Sequence, residues 1–458
     1  MTLSLELAEW ALKLKWNDLP SEVQNRVKEH ALDGIGNAIG AASTDIADAA
    51  AKTVGIYGES NEASMWGTTN RTSVPAAVFF NSILIHALDF DDTHAGGLVH
   101  ATAPTLPVAI ALGESLKASG EEVITAYAAG LEVICRLGAS TPHGFHARGL
   151  HATQVCGTIA SAIIAAKLMR LSISQTVNAM GIAGSFSGGL LEFLNTGSST
   201  KQIHPGIASQ AGVIAAHLAA NGATGPETVI EGEYGILKSL SDRDANLSQI
   251  VKGLGEVWEC SQITIKPYPA CQLSHVTLDA TRNAWTSASA SGVKISEIKK
   301  ISAIVHPDSA KIVCIPRSEK NTPKTAYDAK FSLPWSVAAL IIDGELVVKS
   351  FDQTSIKRGS VIELAEKFEF EEGKEVVAAA AAPGSVEITT TDGRSFSGIA
   401  STSAGGPSNR LSSDALVKKF LLQCSDQKSG ILLADELLRI DKVLQISSIS
   451  AMIAMSGK

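Results

Sequence analysis

Between residues 86 and 100 the chain carries His86, Asp89, Asp91, Asp92, Thr93, His94 and His100. Three carboxylates and three imidazoles within 15 residues of a largely apolar region are the makings of an acid–base centre. A carboxylate removed from water holds its proton more tightly and can act as a base, and imidazoles exchange protons near neutrality. If the helix before this segment runs through it, Asp89 and Thr93 fall one turn apart on one face. The plainer alternative is a helix C-terminus ending in solvated acids.

Three further groups suit the same chemistry. His143, His146, Arg148 and His151 precede the small-residue stretch ATQVCGTIASA, and a helix N-terminus there favours an anion. The alternative is a set of ordinary surface-loop histidines. Lys201 is the one cation between Arg170 and Lys238, with His204 three residues on. Such a lysine either reaches solvent along its stem or sits in a site. In Lys266-Pro267-Tyr268-Pro269-Ala270-Cys271, followed by His275, two prolines stiffen the backbone behind one cation. The alternative there is a linker with a solvated lysine. Lysines and helix N-termini hold the anionic groups of a polycarboxylate and stabilise charge that builds on an intermediate. A base and an acid on opposite sides of such a substrate permit elimination, decarboxylation or epimerisation.

These residues need a large, mostly helical scaffold. The 458 residues suffice for two or three domains, and 45% hydrophobic against 18% charged residues fits a sizeable core. Ser21 and Gln24 after Pro20 read as a capping box, and Val23, Val27, Ala31 and Ile35 as a core-facing stripe. Pro75 suits the first turn of a helix whose apolar side is Ala76, Phe80, Ile83, Leu84, Ala87 and Leu88. From 150 to 222 the Ala, Gly and Ser content predicts closely packed helices. The texture changes near 265. ISAIVHP, followed by KIVCIP, has β character, and VEITTTDGRSFSGI predicts a hairpin with Asp392-Gly393 in a two-residue type I′ turn. Helices are expected near 329–342 and 361–368. The reading is a mainly α protein: a helical domain, 1–265 completed by 400–458, with a smaller α+β domain at 266–399.

Other classes fit poorly. The net charge of −8 gives no positive field for nucleic acid. Cys135, Cys156, Cys260, Cys271, Cys314 and Cys424 are scattered, as expected of reduced thiols in a cytoplasmic protein. The N-terminal segment MTLSLELAEWALKLKW reads as an amphipathic helix rather than a signal peptide. The uncharged stretches 171–191 and 208–226 are too rich in Gly, Ser, Asn and Gln for a membrane span. Phosphate-binding loops, a convincing dinucleotide fingerprint, a serine-nucleophile elbow, HExxH and EF-hand motifs are all missing. A metal-dependent hydrolase built on the 86–100 cluster and a non-enzymatic helical scaffold are the remaining alternatives. The first predicts a bound ion; the second predicts that the clusters do not meet.

Several segments resemble the MmgE/PrpD family: Trp66-Gly67, NSILIHALDFDDT (81–93), HATQVCGT, TKQIHPGIASQAG, KPYPAC with His275, AKFSLPW with VAALIIDGEL, and GGPSN followed by DALVKKF. The resemblance implies a large helical domain with a smaller α+β lid, a homodimer, and cofactor-free chemistry on small polycarboxylates. The activities it brings are cis-aconitate decarboxylase, 2-methylcitrate dehydratase and iminodisuccinate epimerase. By motif, Asp89, His100, His151, Lys201 and Lys266 match catalytic positions, and Thr93, His204 and His275 lie in the substrate-binding motifs. The implied roles put Lys201 and Lys266 on carboxylates, with His151 and His100 exchanging protons. Trp335 stands where animal decarboxylases have tyrosine, and Gln210 where relatives often have Arg or Lys, so both are taken as substrate-side departures. HAGGLVHATAP resembles the fungal decarboxylases more than the methylcitrate dehydratases, which ranks decarboxylation or epimerisation above dehydration.

Overall fold

In the computed structural model, residues 1–374 and 377–456 are described. The protein is mainly helical and divides into two units. The first comprises Met1–Leu191, Thr200–Ile265 and Ser412–Lys458; the second comprises Glu192–Ser199 and Lys266–Leu411.

The first unit opens with α1 (Leu3–Lys13), α2 (Ser21–Ala41), α3 (Asp45–Val54) and α4 (Val74–Ala87). It continues with α5 (Thr102–Leu116), α6 (Gly120–Ala139), α7 (Ala152–Leu168), α8 (Ile173–Gly184) and α9 (Thr200–Ala220). Two small antiparallel pairs accompany them, β1 (Ala63–Ser64) with β2 (Arg71–Thr72), and β3 (Thr93–His94) with β4 (Ile263–Thr264). Capping boxes Ser119/Glu122 and Ser172/Gln175 start α6 and α8. The one expected at Ser21/Gln24 does not form. Pro20 is the N-cap, and the Gln24 amide instead donates back to the carbonyls of Trp16 and Leu19 at 2.9 and 3.2 Å.

The stripe Val23, Val27, Ala31 and Ile35 is buried as its spacing predicts. The α4 helix has no wet side: every residue from Val74 to Ala87 except Pro75 is buried. It is a central helix, packed against α2, α5 and α9. Close approach of α9 to α7 depends on small residues. A Cβ on Gly212 would lie 2.4 Å from Ser161 Cβ and 2.7 Å from the Ala162 nitrogen. These two helices carry Lys201, His204 and, at the N-cap of α7, His151.

The helix does not continue through 89–93 as the periodicity allowed. It ends at Ala87, Leu88 caps it, and Asp89 turns the chain through a left-handed conformation with φ 51°. Thr93 is then extended in β3, so it shares no helix face with Asp89.

In the second unit, α10 (Gln272–Ala290) and α11 (Leu333–Asp343) accompany a four-stranded sheet. Its order is β6 (Phe368–Glu372), β5 (Ile298–Val305), β7 (Gly384–Thr390), β8 (Ser395–Ala400), with only β5–β6 parallel. The α10 helix packs on β7 and β8. The β7–β8 hairpin is found, but with a different turn. Thr390 N bonds Arg394 O at 2.9 Å, leaving a loop of residues 391–393 with Gly393 at φ 88° in place of the two-residue turn. KIVCIP is not a strand: a helix over Pro307–Val313 starts on the proline, with the His306 ring accepting from Asp308 N at 3.1 Å. The helix expected at 361–368 is Gly359–Ala365, and Phe368 begins edge strand β6.

The chain re-enters the first unit at Ser412, later than residue 400, with α12 (Ser413–Leu421), α13 (Gln427–Leu438) and α14 (Ser447–Ser456). Side chains of α10 hold the intervening segment in the second unit: Gln272 bonds Ser403 at 3.1 Å and Asp279 accepts from Ala404 N at 2.7 Å. Glu192–Ser199 belongs there as well, with Phe193 against Phe331 at 5.9 Å between ring centres. No helix among the described residues is long and apolar enough to cross a membrane. All six cysteines are buried free thiols.

Candidate active site

The first unit gathers Asp89, Thr93, His100, His151, Lys201 and His204, from three clusters far apart in sequence, into one buried group. The Lys201 ammonium is 2.8 Å from Asp89 Oδ1 and 3.5 Å from His100 Nε2, with the two side chains of the ion pair 6% and 0% exposed. His100 and His151 rings are 5.8 Å apart, and His151 and His204 share an Nδ1···Nδ1 hydrogen bond of 3.1 Å. The His151 backbone N–H donates to Gly189 O at 2.7 Å, which holds the residue at the start of α7.

Two residues not singled out from the sequence for a role of their own complete the group. Asp91 Oδ2 is 2.8 Å from His86 Nδ1 and 3.4 Å from His100 Nδ1. The His86 ring lies 4.5 Å from that of His100 and 5.6 Å from that of His151. The signal was present in the chain, since both lie in the 86–100 cluster, but only the turn at Asp89 shows that Asp91 faces back to the end of α4. His100 Nδ1 also lies 3.0 Å from Asp92 O and 3.3 Å from Thr93 Oγ1. Two of its three neighbours can only accept, so Nδ1 carries the proton and Nε2, facing Lys201, carries the lone pair. By the same reasoning His86 presents its Nε2 lone pair, a buried atom with no partner among the described residues. Asp92 points elsewhere: it accepts from Thr102 N at 3.1 Å and pairs with His30 at 2.9 Å. His94 is a fastener for the following turn, accepting from Gly97 N at 3.0 Å and bonding Glu259 at 3.1 Å.

Burial sets the protonation states. It pushes His86 down, and pushes His146 and His151 well below the usual imidazole range; His204 falls to about 4. For His151 the nearby His204 and the Lys201 ammonium reinforce this, each disfavouring a further positive charge beside it. Burial alone would raise the Asp91 carboxyl, but the imidazoles of His86 and His100 outweigh it and hold the group well below the ordinary value. Burial thus keeps His86, His151 and His204 neutral at neutral pH beside the Lys201–Asp89 pair, an arrangement able to hold an anion and exchange protons with it.

This predicts acid lability with a defined window. An unfolded histidine takes up a proton near 6.5, whereas folded His204 resists until about 4. Stability is therefore complete above 6.5 and is lost as pH falls between these values. Asp33, raised to about 6 by burial, works the other way between 6 and 3.8 and softens the fall. Thermal melting from pH 7 to 4 should show Tm dropping with acidity, with a shallower slope in His204→Phe; equal slopes would contradict the assignment.

The other expected residues are placed differently. Gln210 is on α9 but bonds Tyr57 Oη at 3.0 Å and Pro75 O at 3.1 Å. Pro75 and His86 lie at opposite ends of α4, about 16 Å apart by helical rise, so Gln210 is outside the histidine group. Six residues beyond His204, it has moved along the helix toward the other end of α4. Lys266, His275 and Trp335 belong to the second unit. Lys266 is fully buried. His275 Nε2 bonds Ala270 O at 3.0 Å and its ring meets Tyr268 edge-on at 5.3 Å. Lys330 donates to Pro269 O at 2.9 Å, so the KPYPAC segment is tied down at Pro269 and Ala270. Trp335 lies in the first turn of α11, fully buried against Phe351 at 5.4 Å.

A metal is the competing use of the same atoms. His86, His100 and His151 offer ligand atoms within 4.8 Å of one another, as do Asp89, Asp91 and His100. A dication would there sit beside the Lys201 ammonium, which already engages Asp89 and faces His100 Nε2. Like charges a few ångströms apart in a buried setting repel strongly, which disfavours this reading.

Comparison with known proteins identifies the family. Residues 5–248 match the MmgE/PrpD N-terminal domain and 268–430 the MmgE/PrpD C-terminal domain. The chain is similar to human cis-aconitate decarboxylase, 27% identical over 434 residues covering 91% of this chain and 86% of that protein. It is also similar to cis-aconitate decarboxylase of Aspergillus terreus, 26% identical over 418 residues (85% and 83% of the two chains). With both domains matched over most of its length, the chain belongs to the MmgE/PrpD family.

Proposed function

We propose that this protein is a cofactor-free lyase that removes CO2 from a small unsaturated polycarboxylate of the cis-aconitate type, acting in the cytoplasm as a homodimer. The observation that carries the reading is the buried Lys201 ammonium, 2.8 Å from Asp89 and 3.5 Å from the His100 lone pair, among neutral imidazoles. Lys201 holds a substrate carboxylate, and Lys266 keeps the carboxylate-binding role its motif implies. The C–C bond to one carboxylate breaks, CO2 leaves, and the electron pair delocalises toward the adjacent unsaturation and the remaining carboxylates. A proton from solvent reaches carbon by way of His100 or His151, imidazoles charged only while they pass it on, so each turnover consumes one proton. Asp91 holds His100 by its Nδ1–H, and Thr93 lies against the same nitrogen.

The test is incubation in deuterated water with citrate, methylcitrate, cis-aconitate and aspartate-derived acids, followed by NMR and CO2 detection. CO2 release from cis-aconitate with one solvent deuterium on the product is expected, unaffected by EDTA. Deuterium entering an acid without CO2 would replace decarboxylation by epimerisation or hydration chemistry. Activity abolished by EDTA and restored by a divalent ion would favour the metal reading.

A further inference from the structure

Beneath the segment Asp89-Phe90-Asp91 lies a second buried charged group that the proton-transfer reading does not use. Lys419 on α12 donates to the Phe90 carbonyl at 2.9 Å, pairs with Asp33 on α2 at 2.6 Å, and sits 3.8 Å from the centre of the Phe90 ring. Asn37, one turn along α2, donates to Asp33 Oδ2 at 3.2 Å. Lys419 and Asp33 side chains are 8% and 2% exposed. Burial raises the Asp33 carboxyl, and Lys419 pulls against that rise. The two helices can approach because α2 has glycine opposite the residue after Lys419: a Cβ on Gly36 would lie 2.8 Å from Phe420 Cδ2.

The bond to Phe90 matters because of what flanks it. Phe90 joins the carboxylate that pairs with Lys201 to the carboxylate that holds His86 and His100. Asp89 has φ 51°, a conformation that a side-chain-bearing residue keeps only where its surroundings over-determine it. That carbonyl belongs to the peptide joining Phe90 to Asp91, so its rotation would swing Asp91 away from His86 and His100 and release the turn that begins at Asp89. A charge-assisted bond to that carbonyl, backed by the cation resting on the Phe90 ring, blocks the rotation.

We propose that Lys419 is a positioning residue of the active centre: its ammonium, aimed by Asp33, holds the Phe90 carbonyl and thereby sets the Asp89 and Asp91 carboxylates. The C-terminal segment thus completes a site whose reacting groups all lie far earlier in the chain. The proposal rests on the reading that Asp89 and Asp91 serve proton transfer.

Lys419→Met alone strands the Asp33 carboxylate and can unfold the protein, so the deciding variant is the uncharged pair Asp33→Asn/Lys419→Met. Two readouts keep this proposal separate from the proposed reaction. Side-chain 15N NMR of the histidines needs no substrate: the His86 and His100 signals are expected to shift as Asp91 disengages, in a variant whose far-UV circular dichroism matches wild type. On cis-aconitate, kcat is expected to fall 10- to 100-fold with KM within threefold of wild type. Wild-type imidazole spectra in the folded double variant overturn the positioning role, whatever the substrate proves to be. Unchanged kcat on a substrate that the wild type turns over also overturns it. A wild type inert on cis-aconitate would count against the proposed reaction alone, and the NMR comparison would still decide for or against Lys419.

Discussion

Lys201→Met is expected to lower kcat/KM on the true substrate by about 30- to 5,000-fold, the equivalent of the 2–5 kcal/mol lost when one member of a buried charge pair is truncated. The residue is nearly fully buried and its ammonium faces both Asp89 and His100. Removal takes away the cation proposed to hold the substrate carboxylate and leaves Asp89 charged in a dry setting. That second effect also destabilises the fold, by about 3–5 kcal/mol where a buried partner is left alone. Asp89→Asn/Lys201→Met separates the two. The double variant should recover much of the lost Tm without recovering turnover, because the uncompensated charge is gone while the anion contact is still missing. Wild-type kcat/KM in either variant would end the carboxylate assignment for Lys201.

Asp91→Asn is expected to cost turnover by another route, about 100- to 10,000-fold in kcat, the range supplied by a positioned proton-transfer group. Asp91 presents no cation to a substrate. It accepts from His86 at 2.8 Å and lies 3.4 Å from His100, fixing which ring nitrogen of each holds the proton. An asparagine amide can present a donor where the carboxylate only accepts, so either ring can turn or change tautomer and withdraw its Nε2 lone pair. The sign of the accompanying pH effect follows. The Asp91 charge raises the His86 value against a dominant lowering by burial, so its loss depresses His86 further. Any limb of the pH–rate profile that belongs to His86 should therefore move to lower pH, with KM little changed. A variant retaining kcat, or one whose profile moves to higher pH, would show that Asp91 does not orient these rings.

Much of the site was legible because the chemistry-bearing residues are concentrated in short motifs within an otherwise apolar chain. HALDFDD, the HATQVCGT histidine and the lone cation of TKQIHP each stand out against their surroundings, and the structure brings these three together in one unit. Elements with strong periodicity were equally readable, as in α2 and the β7–β8 pair. The misreadings came where a local rule had a tertiary competitor. Helical spacing allowed α4 to run through Asp89, but the clamp on the Phe90 peptide and the bonds made by Asp91 and Asp92 hold a left-handed turn there. Gln210 shared a motif with Lys201, yet helical rise carries it out of the group. The polar stripe His30, Asp33 and Asn37 on α2 was a readable anomaly, because nearly everything around it is apolar and buried.

The sequence alone determined which residue types are available, the mainly helical class, the family, and the isolation of Lys201 as a cation between Arg170 and Lys238. Those properties reside in composition, periodicity and motif spacing, all of which are local. Only the tertiary structure decided that Asp91 rather than Asp92 faces the imidazoles, that His94 is a fastener, and that Lys419 reaches across 329 residues to Phe90. Such pairings depend on how helices approach one another, and helix approach is governed by packing of small residues such as Gly36 and Gly212 rather than by any pattern near the paired groups.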